Sequence, residues 1–138
     1  MKYELVPSEI NGFFRIKALR DFSDVHIGDI GGYVETNDNL SHGGRCWVYD
    51  NARVVGAARV RNDAVVAGNA VVRGYACILG RATVNDNAIV KGDAVVTDNA
   101  RVSDWAIIEE FAHIGRNAVI RGFSRIGGDE TIMNVDWR

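Results

Sequence analysis

The 138-residue chain has no long apolar run. Its hydrophobic stretches last a few residues each, far short of the ~20 that span a bilayer. Met1-Lys2-Tyr3-Glu4 opens no apolar signal-peptide core, so a cytoplasmic protein without membrane partners is expected. Only two cysteines occur, Cys46 and Cys77, without the spacing of a zinc knuckle or a disulfide framework; neither a metal site nor a disulfide is expected. Lysine is scarce as well, three residues against thirteen arginines. A net charge of -2 argues against a generalised nucleic-acid binder, while arginine is the better cation for planar contacts with anions and aromatic rings.

What the chain has in abundance is a repeat of period six. From Cys46 a small residue recurs at every sixth position, through twelve alanines (Ala52 to Ala118) to Ser124. Two residues after each comes a β-branched aliphatic, from Val48 to Ile126, fourteen matches in fourteen repeats. Residues two apart share one face of a strand, so every repeat supplies a short strand with a two-residue inward stripe. Gly56, Gly68, Gly74, Gly80, Gly92, Gly122, Asp86, Asp98 and Asp104 fall at the first corner position, with Asn51, Asn69, Asn87, Asn99 and Asn117 at the second. These residue types suit a sharp corner. A helix is excluded, because period six scatters the apolar pairs around a 3.6-residue cylinder.

Three strands per turn make a triangular coil of eighteen residues, a parallel β-solenoid. Read backwards, the register puts Gly28, Val34 and Leu40 in small slots and Ile30, Thr36 and His42 in branched ones. Six coils are then expected between residue 28 and about residue 135, roughly 29 Å tall at ~4.8 Å per coil. Residues 1–27 read as an N-terminal cap, with a β-hairpin around Asn11-Gly12, and residues 28–138 as the helix proper. Glu130 in an inward slot should end the regular core, with Trp137 available to cover it.

Stretches such as Val66-Ala67-Gly68-Asn69-Ala70-Val71 and Ile114-Gly115-Arg116-Asn117-Ala118-Val119-Ile120 resemble the hexapeptide-repeat family of left-handed parallel β-helices. That resemblance implies the left hand. The segments Phe14 to Phe22, Gly28 to Glu35 and Trp47-Val48-Tyr49 are similar to small bacterial and prophage β-helix proteins usually labelled transferases or left undescribed. The resemblance implies a homotrimer and, in its enzymes, an acetyl-CoA-dependent acyltransferase with a histidine as general base.

His113 is the only histidine within the regular repeats, in an outward slot where it can reach across a subunit interface. The chain lacks the extruded loop and extra C-terminal element with which such enzymes hold their substrates. A zinc site of three histidines is also disfavoured, since His42 and His113 lie four coils apart. Gly28-Asp29-Ile30-Gly31-Gly32 has no following Lys-Ser/Thr, so it reads as a turn into the first coil and not as a phosphate loop. Two outward features remain. Val71, Ile89 and Ile107 stack in an apolar strip bracketed by Arg53 and Arg125, the pattern of a self-association interface. Trp105 and Phe123 replace the Asn51, Asn69, Asn87 column at one corner, near Arg101, Arg121 and Arg116, with Phe111 around the edge. Aromatics interleaved with arginine suit a nucleotide-like ligand or a protein partner. A non-catalytic binding module is therefore the leading expectation, followed by an acyltransferase and a purely structural trimer, with no resident cofactor. The outward slots lack the regular threonine ladders of an ice-binding face.

Overall fold

The computed structural model describes residues 1–137, with side chains through residue 135. The chain winds as an all-β, left-handed parallel β-helix of about six coils, led by an antiparallel hairpin. Three sheets form its walls. Face one contains β1 (Tyr3–Pro7), β2 (Phe14–Ala18) and β3 (Ile30–Val34), followed by Arg53–Val54, Val71–Val72, Ile89–Val90, Ile107–Ile108 and Arg125–Ile126. Face two runs from Trp47–Val48 to Asp136–Trp137, and face three from Arg59–Val60 to Thr131–Met133. Partners in the regular coils are eighteen residues apart, as in Thr83 with Arg101 and Ile89 with Ile107.

The small and branched columns fill the prism. Every member from Cys46 to Ile120 is buried, including Ala88, Val90, Ala94 and Val96 at 0% exposure. Each corner has one residue in the left-handed region, at every sixth position from Gly44 to Asn134. At Asp50, Asn62, Asp86, Asp98, Asp104 and Glu110 the side chain has a task. The backbone N–H at this position finds no backbone acceptor in the next coil, and the carboxylate or amide one coil earlier takes it. Asp98 accepts from Arg116 N at 2.7 Å, Asp104 from Gly122 N at 2.8 Å, and Asn62 from Gly80 N at 3.0 Å. Short polar side chains thus offset the left-handed strain by capping a donor that stacking leaves unpaired.

The first coil departs from the expected register. Val34 pairs with Val54 and Leu40 with Val60, twenty residues apart, whereas Trp47 pairs with Val65 at eighteen. Two extra residues are accommodated in the corner between Leu40 and Trp47. Val34 and Leu40 therefore occupy the branched column, and Gly32 the small one. Thr36 instead caps a short 3-10 turn (Asn37–Asn39), and Gly28 precedes β3 at φ +92°. Nor is Gly31-Gly32 a turn. Both lie inside β3, so close to the second coil that a Cβ on Gly32 would stand 2.6 Å from the Ala52 carbonyl oxygen.

The hairpin closes the top by continuing face one antiparallel, β1 on β2 and β2 on β3. It buries Tyr3, Ile16 and Ala18 over the first coil, where Trp47 packs edge-on against Tyr3 and Phe22. His42, expected inward, lies in the enlarged corner. Its ring stacks on Tyr3 at 4.0 Å, and its Nδ1 accepts the Lys2 N–H at 3.3 Å. At the other end Glu130 is exposed and the core runs past it to buried Ile132. The Val119–Asp136 pairing, seventeen residues apart, shortens the last coil by one residue. Cover by the Trp137 side chain lies outside the described residues.

Candidate functional site

Stacking converts an eighteen-residue interval into direct contact. Trp105 and Phe123, at the corner between faces two and one, stack with ring centroids 5.3 Å apart and planes 13° from parallel. Neither ring is needed by the core: Trp105 is 54% exposed and Phe123 81%. Each follows a corner residue, Asp104 and Gly122, in the left-handed region, which turns the next side chain away from the prism. The Asp104 carboxylate, the nearest acid in sequence, is already engaged with Gly122 N.

Arginines flank the stack. Arg101 is exposed on face two between Thr83 and Val119, on the strand that leads into the Trp105 corner. Arg121 is half-buried at the start of the Phe123 corner, one coil below. Arg116 occupies the opposite edge of face two, exposed beside a shallow groove with Arg81, Asn99 and Asn117. The topology therefore assembles Arg101, Trp105, Arg121 and Phe123, with Arg116 across the same face. Phe111 stands apart, on the corner between faces one and three, and is 64% exposed.

His113 sits half-buried on face three, between Val95 above and Thr131 below. Among the described residues no side chain hydrogen-bonds its imidazole, so no carboxylate orients it as a base. Nor do His26, His42 and His113 converge; among the described residues no cluster of three or more His, Cys, Asp or Glu side chains has the geometry to hold a metal ion. No helix of the described residues is long and apolar enough to cross a membrane. Val71, Ile89 and Ile107 form one half-buried outward column on face one.

Sequence reasoning missed the groups that close the N-terminal end. Arg15 spans the hairpin and the first corner, donating to the Gly31 and Asp50 carbonyls at 2.9 and 3.1 Å and to Asn51 Oδ1 at 3.1 Å, with its guanidinium 4.1 Å from the centre of the Tyr33 ring. Tyr33 donates its hydroxyl hydrogen to Glu9, which holds that carboxyl below its usual range and raises the tyrosine. Asn39 is fully buried, accepting the Glu35 and Thr36 N–H groups and donating to the Gly56 and Ala58 carbonyls. The Thr36-x-x-Asn39 spacing, a capping pattern, was the available signal for Asn39.

No protein-family model matches the sequence, and no curated protein shows detectable similarity to it.

Proposed function

We propose that the protein is a non-catalytic binding module on a self-associating β-helix of the hexapeptide-repeat type, related to the small bacterial and prophage members of that family. The observation that carries this is the stacked, solvent-facing Trp105–Phe123 pair with arginines beside it. A two-ring ladder offers a further planar group a face to stack on, and guanidinium groups complement phosphate or carboxylate. The ligand is accordingly planar and anionic, of the nucleotide type. The half-buried apolar column on face one supports self-association.

A flat-walled prism with an unoriented His113 gives little support to acyl transfer, which needs a positioned base and two enclosed substrates. Thermal shift against nucleotides, sugar nucleotides and acetyl-CoA tests the reading. Nucleotides should raise the melting temperature of the wild type and not of Trp105→Ala. Acetyl transfer from acetyl-CoA to an amine or hydroxyl, abolished by His113→Ala, would overturn it.

A further inference from the structure

The outward side chains of face one are close to palindromic along the prism. In successive coils the strand position carries Arg53, Val71, Ile89, Ile107 and Arg125, each the Cα partner of the next. Reversing this column about Ile89 sets Val71 opposite Ile107. The same reversal sets Arg73 opposite Glu109 in the column two residues further on, and Tyr75 opposite Phe111 on the adjoining corner. Apolar thus meets β-branched apolar, Arg73 meets Glu109 and ring meets ring, while Lys91 and Asp93, in the axial coil of the same two columns, each meet their own copy. We propose that a second copy of the chain packs antiparallel on face one, about a two-fold axis that is perpendicular to the prism and passes through the Ile89 coil. This rests on the self-association reading and names its geometry.

A two-fold contact is isologous, so a surface that uses one must be complementary to its own reverse, and each favourable pair is made twice. Of these side chains, Tyr75 and Phe111 have no hydrogen-bond or ring partner within one chain among the described residues, whereas Glu109 does. Tyr75 is 70% exposed and Phe111 64%, on one corner two coils apart. The Arg73 side chain has no hydrogen bond or ion pair among the described residues. Glu109 is held as a carboxylate by Arg125 at 2.5 Å and Lys91 at 3.6 Å, which lower its pKa, Arg125 first. At the ends of the strip the reversal brings Arg53 near Arg125. The charge of Arg125 is already offset by Glu109, and Arg53 is held by the Phe13 and Tyr33 rings at 5.6 and 5.5 Å. A parallel assembly matches each coil with the same coil of its neighbour and brings together neither Arg73 with Glu109 nor Tyr75 with Phe111.

The axis passes through Ile89, which therefore meets itself. Sheets packed face to face lie ~10 Å apart, beyond a disulfide and within reach of a short bismaleimide. In a Cys77→Ser background, Ile89→Cys should crosslink to a covalent dimer, whereas Val119→Cys on face two should not. Light scattering should give the unmodified protein twice the chain mass. Arg73→Glu and Glu109→Arg should each weaken the dimer about tenfold or more, and an equimolar mixture should recover it, because the mixed dimer pairs opposite charges at both contacts. A three-chain mass, or an oligomer without the Ile89→Cys crosslink and without recovery on mixing, overturns the two-fold and leaves self-association standing. A monomer overturns both.

Discussion

Lys2 runs over the first coil to Cys46, its Nζ 2.7 Å from the Cys46 carbonyl oxygen and 3.3 Å from Sγ, with both residues fully buried. Carbonyls of the first coil have no coil above them, and Lys2 supplies the donors, reaching Gly43 O as well at 3.3 Å. Its position over the Phe22 ring, 5.2 Å from the centroid, holds the amine there. Lys2→Met keeps the stem and removes these donors. It should cost about 1–3 kcal/mol of stability, read from urea unfolding. An unchanged midpoint would show that water serves those carbonyls equally well.

The same end of the prism makes stability depend on pH. Burial lowers the His42 pKa, reinforced by the N-terminal ammonium and Lys2. A histidine whose folded pKa lies below its unfolded value of about 6.5 leaves the unfolded chain with more bound protons in that interval. The stability it contributes is therefore complete above about pH 6.5 and is lost as pH falls towards the folded value. Melting temperature should decline between pH 7.5 and 5 in the wild type. His42→Gln should flatten part of that decline, and identical profiles would remove His42 as the cause.

Corner chemistry can be dissected at Asp98, which adopts φ +59° and accepts the Arg116 N–H at 2.7 Å. Asp98→Gly keeps the left-handed backbone and loses the cap, an expected cost of about 1 kcal/mol. Asp98→Val loses the cap and adds the strain of a β-branched residue at positive φ, so it should cost clearly more. Chemical denaturation compares the two; equal midpoints would mean that the backbone conformation carries no penalty there.

Core register is checked by two neighbouring substitutions. Ala88 is fully buried, and Asn87 beside it is exposed. Ala88→Asp places an unpaired carboxylate inside the prism and should be severely destabilising, while Asn87→Asp should be mild. Equal thermal shifts would contradict the inward assignment.

The regular coils were legible because one physical requirement repeats without interruption. A narrow prism admits only a small residue and a branched one per wall, so from Cys46 to Ile126 the column marks the structure residue by residue. The first coil was harder to read. There the corner after Leu40 takes two additional residues, and period six extended backwards assigned His42 to the core. Buried Lys2 was not legible either, because its burial depends on carbonyls exposed only at the end of a stack, and Asn39 was signalled only by its capping distance from Thr36. Glu130 misled for the converse reason: its slot is inward in every earlier coil, but with no coil below it among the described residues the side chain is exposed. At the candidate site the corner column placed Trp105 over Phe123 from the eighteen-residue interval alone. Phe111 shares their composition but not their corner.

Recognition at that corner is the central claim, and calorimetric titration with ADP of the wild type, Trp105→Ala and His113→Ala tests it most directly. Stacking is worth about 1–3 kcal/mol per ring. Trp105→Ala should therefore weaken ADP binding about tenfold or more, and His113→Ala should change it by less than about threefold. Affinity unaffected by Trp105→Ala, or lost on His113→Ala, would contradict the account.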